Sequence, residues 1–308
     1  MRIEYRYINF NKTQNEHKKI IKILDNYSIK YNYKNDINCV LDGFQYYLEF
    51  KLYDNNTSLK EIQKKLKPFN LFVDINTLYS SEELNNAKYF RINVGQYQYP
   101  QPEDNFNYLD KTFDLKYYCS ICGIGKIQNN PFRLKKEPKQ KNNQFWGLHW
   151  EFDSVFVREE AKNIFKRENI QGIDFIPVIL NKNNKQIDRF YQLKIETVLD
   201  NGFNPYNTIK ITCKFNNEEN TNKNNNEKYC GKIKYHHPRI GGHLFDKKIF
   251  FEGIDIFMSN EYFGSGGEAH KLIIVSKKTY EIINKNKLKG IEFTPIMHEE
   301  YKNDPNCT

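Results

Sequence analysis

No window of the 308-residue chain approaches the roughly 18 consecutive apolar residues that a membrane-spanning helix needs. The opening stretch, MRIEYRYINFNK, alternates charged and apolar residues and has no apolar run of leader-peptide length. Both absences point to a chain that stays in the cytoplasm where it is made, with no membrane partner. Acidic residues are in deficit: 38 Asp and Glu stand against 47 Lys and Arg, a formal net charge of +9. A Lys- and Asn-biased composition spreads such a surplus over solvated faces, and the same surplus suits an anionic partner, either nucleic acid or an acidic protein surface. No basic run is interleaved with aromatics as in the RRM signature, which argues against nucleic acid. Tryptophan and methionine are scarce, at 2 and 3, yet 22 Tyr and 23 Phe raise aromatics to 15%. Those rings supply burial that a 39% hydrophobic content would leave thin, and they exclude wholesale disorder. Neither H-E-x-x-H nor a Ser/His/Asp or Cys/His order is visible, so no enzyme is expected.

Cysteine is also sparse. Six in a reducing compartment indicate metal or buried thiols before disulfides. Cys119 and Cys122 lie in CSICG, a C-x-x-C-G knuckle in which two intervening residues let both sulfurs face one ion. The glycine lets the backbone bend close to the sulfur. A redox C-x-x-C is the competitor, but the strand-to-helix context of a thioredoxin-like site is missing. Cys213 and Cys230 flank FNNEENTNKNNNEK (215–228); deleting that polar block leaves C-K-Y-C-G, a second knuckle. The block then reads as a surface loop grown from a knuckle tip, where added length costs little closure entropy. Two knuckles complete a tetrahedron of four sulfurs around one structural zinc per chain, with a pair of unliganded buried thiols as the alternative. His236 and His237 are the residues that could replace a cysteine ligand. Cys39 and Cys307 belong to no pattern and read as a core and a tail residue.

The first hundred residues read as a compact α/β unit. RIEYRYINF, FQYYLEFKLY and KYFRINVGQYQYP have strand character, NEHKKIIKILDNY has helical spacing, and SLKEIQKKLKPF has Ser58 placed as an N-cap. YPQPEDN (99–105) then reads as a linker, giving domains 1–104 and 105–308. Beyond it the sequence repeats itself. FDSVFVREEAKNIFKRENIQGIDFIPV (152–178) aligns without a gap on HKLIIVSKKTYEIINKNKLKGIEFTPI (270–296). Val157/Val275, Ile164/Ile282, Gly172/Gly290, Ile173/Ile291, Phe175/Phe293 and Pro177/Pro295 are identical. Each copy reads as strand, helix, a glycine that ends the helix in the left-handed region, and a strand with a proline. One cysteine pair precedes each copy. The expected fold class is therefore α+β: an N-terminal α/β unit followed by two duplicated strand-helix-strand modules joined by a zinc-ribbon-like site of four cysteines. FEGIDIF (251–257) reads as a strand, and the Gly-rich YFGSGGEAH (262–270) as a mobile surface loop.

The pattern resembles the double-CXXCG-motif proteins of bacterial toxin–immunity systems over residues 110–298. CSICG, the split C…YCG, GIDIF, and the two segments ending GIDFIPV and GIEFTPI carry the likeness. The long block inside the second knuckle, and the absence of the proline that many members place within it, depart from the family. The resemblance implies an immunity protein: a cytoplasmic binder of one secreted antibacterial toxin, rigidified by zinc on Cys119, Cys122, Cys213 and Cys230. The competing expectation is a zinc-ribbon nucleic-acid-binding protein.

Overall fold

The computed structural model describes residues 1–11, 14–35, 46–139, 142–206, 208–214 and 229–298, a mixed α+β chain in which strand outweighs helix. Among these residues no helix is long and apolar enough to cross a membrane. The chain divides into two units, Met1–Asn86 with Arg239–Gly241, and Ala87–Pro238 with Gly242–Thr308.

The first unit runs β1 (Arg2–Asn11), α1 (Gln14–Asn26), β2 (Tyr31–Lys34), β3 (Tyr46–Tyr53), α2 (Leu59–Leu66), β4 (Phe72–Leu78) and α3 (Ser81–Asn86). Its sheet has the order β2-β3-β1-β4 with every neighbouring pair antiparallel, a split β-α-β arrangement. Strand alternation turns Tyr7, Leu48, Phe50 and Leu52 to one face, where they meet Ile20 and Leu24 of α1 and Ile62 and Leu66 of α2. Period two in the strands and the helical stripe thus build one core between them. Ser58 makes no side-chain cap; its N–H donates instead to Asn56 Oδ1 at 2.9 Å, so an Asx turn opens α2.

The second unit opens on β5 (Tyr89–Val94) and β6 (Gln96–Gln98), both expected in the first unit; the division falls after Asn86, ahead of the proline-containing segment. Then come α4 (Tyr108–Thr112), β7 (Phe113–Asp114), β8 (Ile127–Gln128), β9 (Arg133–Leu134), β10 (Phe145–Leu148), β11 (Glu151–Arg158), α5 (Glu159–Arg167), β12 (Ile173–Leu180) and β13 (Lys185–Ile195). The chain continues through β14 (Phe203–Asn204), β15 (Lys210–Thr212), β16 (Ile233–Tyr235), β17 (Leu244–Phe245), β18 (Ile256–Phe263), β19 (His270–Ser276), α6 (Lys277–Lys285) and β20 (Ile291–Pro295). Two six-stranded sheets result, β6-β10-β11-β13-β12-β9 and β15-β16-β18-β19-β5-β20.

These sheets share a local plan. A hairpin (β10–β11 or β18–β19) leads through a helix (α5 or α6) to a strand (β12 or β20). That strand is separated from the hairpin by one antiparallel strand, β13 in the first sheet and β5 in the second. This is why KYFRINV leaves the first unit: Phe90 and Ile92 are buried on a strand that lies between β19 and β20 of a sheet otherwise built from residues 210–295. Aromatic cores fill both halves, with Trp146, Phe132 and Phe156 in one and Phe245, Phe257 and Phe263 in the other.

The helices do not end on Gly172 and Gly290. Asn169 and Lys287, both at φ 53°, take the left-handed turn, and Ile170 N–H and Leu288 N–H return to the Phe165 and Ile283 carbonyls at 3.0 Å. The glycines serve a contact further on. The Lys289 carbonyl accepts from the N–H groups of Gln144 and Phe145 at 2.9 and 3.0 Å, and Lys289 N–H donates to Gln144 Oε1 at 2.8 Å. The Gln171 carbonyl likewise accepts from Asp255 and Ile256 at 3.0 and 3.2 Å, and Gln171 N–H donates to Asp255 Oδ2 at 3.0 Å. Each half therefore grips the turn of the other in the same way. Asp255 belongs to this grip, so FEGIDIF is a turn through Gly253 (φ 82°) that enters β18 only at Ile256.

A Cβ on Gly290 (φ +92°) would lie 2.2 Å from the Phe145 carbonyl oxygen, and one on Gly172 (φ +93°) 2.4 Å from that of Ile256. Gly290→Ala should therefore cost about 2–4 kcal/mol in urea unfolding. Gly253→Ala, where a Cβ meets nothing within 4 Å, should cost only about 1 kcal/mol.

Candidate metal centre

Each cysteine pair sits in a loop closed by two short antiparallel strands, β7 with β8 for the first and β15 with β16 for the second. In the first knuckle Gly123 N–H donates to the Cys119 carbonyl at 2.8 Å, and Cys119 N–H to the Ile124 carbonyl at 2.9 Å. In the second, Gly231 N–H donates to the Cys213 carbonyl at 3.1 Å, and Cys213 N–H to the Lys232 carbonyl at 2.9 Å. Gly123 and Gly231 are both left-handed, at φ 81° and 71°. The two turns are thus equivalent although 215–228 lies inside the second; that segment is outside the described residues, as are Cys39 and Cys307.

The sulfurs of Cys119, Cys122, Cys213 and Cys230 all lie within 4.8 Å of one another. Across the knuckles Cys119 Sγ is 3.8 Å from Cys213 Sγ, and Cys122 Sγ 3.6 Å from Cys230 Sγ. These are far longer than a disulfide's roughly 2.05 Å, and all four cysteines are free. They match the roughly 3.8 Å edge of a tetrahedron with metal–sulfur distances of about 2.3 Å. Four soft donors close the coordination sphere, so the group could hold one metal ion and is compatible with zinc.

Cys119, Cys122 and Cys213 are buried with Ile124 and Ala269, and Cys230 is exposed. Burial pushes the Cys122 thiol up to about 12 and raises that of Cys213. Burial also disfavours the Cys119 thiolate, but the N–H groups of Cys122 and Ile121 outweigh it and bring this thiol down to about 7. A bound cation would have to displace protons from the other sulfurs.

The stretch 262–270 joins β18 to β19 in a turn whose tip, 265–267, is exposed, and it packs on the first knuckle, where a Cβ on Gly123 would lie 2.5 Å from the Gly267 carbonyl oxygen. Neither histidine joins the sulfurs. His236 N–H pairs with the Ile209 carbonyl at 2.9 Å. His237 lies in a chain of imidazoles, its Nδ1 3.1 Å from His243 Nε2 and its Nε2 3.1 Å from His270 Nε2. His270 Nδ1 is hydrogen-bonded to Glu268. Sequence reasoning missed two lysines beside the knuckles, although a signal was present: residues 122–126 read CGIGK and residues 230–234 CGKIK. The fit of the four-cysteine set rests on this geometry alone, because no family model matches the chain and no curated protein is similar to it.

Acidification should release the metal, since every ligand must lose a proton to bind; metal content measured after dialysis should fall as pH drops below neutrality. Burial also lowers His237 to about 3 from its ordinary 6.5. The unfolded chain therefore takes up a proton that the folded one refuses, and this part of the stability, present above pH 6.5, is lost as pH falls toward 3. The melting temperature of His237→Asn should decline less steeply over that range than that of the unsubstituted chain.

Proposed function

We propose that the chain is an immunity protein that binds and neutralises a cognate secreted antibacterial toxin in the cytoplasm, with zinc as a structural ion and no catalytic role. The observation that carries the reading is the meeting of the CSICG knuckle with the interrupted knuckle of Cys213, Cys230 and Gly231, each ahead of its own strand-helix-strand segment. That is the arrangement behind the resemblance to double-CXXCG immunity proteins. On this reading the two segments are duplicated modules, a history supported by the matched grips of Gln171 on Asp255 and Lys289 on Gln144. Zinc would be held by Cys119, Cys122, Cys213 and Cys230, pinning the modules together. It would supply charge neutralisation and rigidity at a closed site.

The surface we assign to the toxin is an exposed aromatic cluster of the second unit. Trp150 lies 4.5 Å from Phe106 and 4.6 Å from Tyr99, ring centre to ring centre, and these three are 36%, 49% and 40% exposed. Phe106 and Trp150 hold φ of 58° and 70°, costly for bulky residues and retained where the surroundings and a function demand it. Near the cluster runs an exposed segment carrying Lys135, Lys136 and Lys139 with Glu137 among them, a net positive strip tied to β6 by Gln98 Nε2 donating to the Lys136 carbonyl at 3.4 Å. Rigid aromatics beside a basic rim suit an apolar protein face edged with acidic groups.

Elemental analysis should find one zinc per chain, and Cys119→Ser should lower stability by several kcal/mol, since metal affinity at such sites is folding free energy. Co-expression with the toxin domain encoded beside the chain should restore growth and give a complex that Trp150→Ala weakens without lowering the melting temperature. Tight, steeply salt-dependent binding to generic DNA or RNA, with no complex with that neighbour, would favour the nucleic-acid reading instead.

A further inference from the structure

Lys126 and Lys234 occupy matching places, each four residues beyond the second cysteine of its knuckle, and the side chains of both are largely or wholly out of solvent. Their partners differ. Lys126 Nζ donates to both carboxylate oxygens of Glu151 at 2.7 Å, and the Tyr108 hydroxyl donates to the same carboxylate at 2.7 Å. That ammonium has its counter-ion.

Lys234, 2% exposed, has no ion-pair partner among the described residues. Its Nζ donates to the carbonyl oxygens of Cys122 at 3.0 Å, Gly266 at 2.6 Å and Glu268 at 2.7 Å. Three carbonyls use all three N–H bonds but bring no net charge, and a buried cation is disfavoured unless an anionic group lies near it. The Glu268 carboxylate, hydrogen-bonded to His270, acts on this ammonium from beyond ion-pair distance. The sulfur cluster lies close by as well, reached through the backbone of Cys122 itself. Four thiolates around a divalent ion would carry a net charge of −2, beside this buried ammonium.

We infer that Lys234 is the fixed counter-charge of the metal–thiolate centre, a positioning residue that holds the site's affinity for a divalent ion. The inference rests on the metal reading above. The geometry also gives the β18–β19 turn a purpose. Its packing on Gly123 aims the Gly266 and Glu268 carbonyls at Nζ, so the same ammonium ties the first knuckle to that turn from a strand of the second.

The test compares Lys234→Gln, Lys234→Arg and Lys126→Gln in the full chain, with Zn²⁺ affinity read by competition against a chromophoric chelator and Co²⁺ loading read by its sulfur-to-metal absorption. Lys234→Gln should weaken Zn²⁺ binding at least tenfold and move the Co²⁺ band to longer wavelength, because thiolates without a nearby cation give up electrons more easily. Lys234→Arg, which keeps the charge, should bind within about threefold of the unsubstituted chain. Lys126→Gln should lower the melting temperature but leave the Co²⁺ band where it was. Lys234→Gln with unchanged affinity and spectrum would overturn the inference. So would Lys234→Arg binding tenfold more weakly, since packing and not charge would then govern; that arm decides the matter if the Gln variant does not fold. An unsubstituted chain that binds no Zn²⁺ would bring down the metal reading itself, a result distinguishable from both.

Discussion

Like charges at short range set the terms for this protein. Four sulfurs within 4.8 Å cannot all ionise on their own, because each pair of thiolates at such separations repels by several kcal/mol even at an effective dielectric of about 20. As neutral thiols they would be weak hydrogen-bond partners filling space a hydrophobic residue fills better. A divalent cation reverses the sign of the interaction, turning mutual repulsion into four strong bonds. In the first knuckle, amide N–H groups are already turned toward Cys119 and favour its thiolate.

The rest of the second unit is arranged so that those sulfurs meet. The two knuckle loops are hydrogen-bonded alike, the two sheets share a hairpin-helix-strand plan, and each half closes its partner's turn with the same set of backbone bonds. Contacts of this kind reinforce one another. The grips at Gln171 and Lys289 fix how the hairpins lie, and the β18–β19 hairpin carries the turn that packs on the first knuckle. If a metal is bound, its four protein donors leave no open coordination position at that ion.

Much of this was legible in the residues, and the exceptions have physical causes. CSICG is short and local, so its turn could be read directly. The second knuckle was readable only after the polar block was set aside, and its hydrogen bonds match the first because they involve only residues flanking that block. The helices and their following strands were placed correctly, but the role of Gly172 and Gly290 was not. A left-handed glycine after a helix suggests a cap, whereas Asn169 and Lys287 take that turn and the glycines make room for a carbonyl from a distant strand. KYFRINV pairs in the second unit for a similar reason: a strand's pattern states that it is buried, not against what. Ser58 precedes a helix as an N-cap should, yet Asn56 does the local bonding. The histidine chain escaped notice because His237, His243 and His270 meet only through folding.

The position of β5 has a consequence for how the protein is made. Arg91 and Phe90 pair with Ile274 and Val275, roughly 180 residues later in the chain, and then with Thr294 and Pro295. A ribosome delivers β5 roughly 180 to 200 residues before its two neighbours. The first unit has all its strands by residue 78, apart from the short return at 239–241, so it is free to fold while synthesis continues. This interior strand of the second sheet must meanwhile wait with both edges unpaired, exposed to mispairing until β19 and β20 emerge.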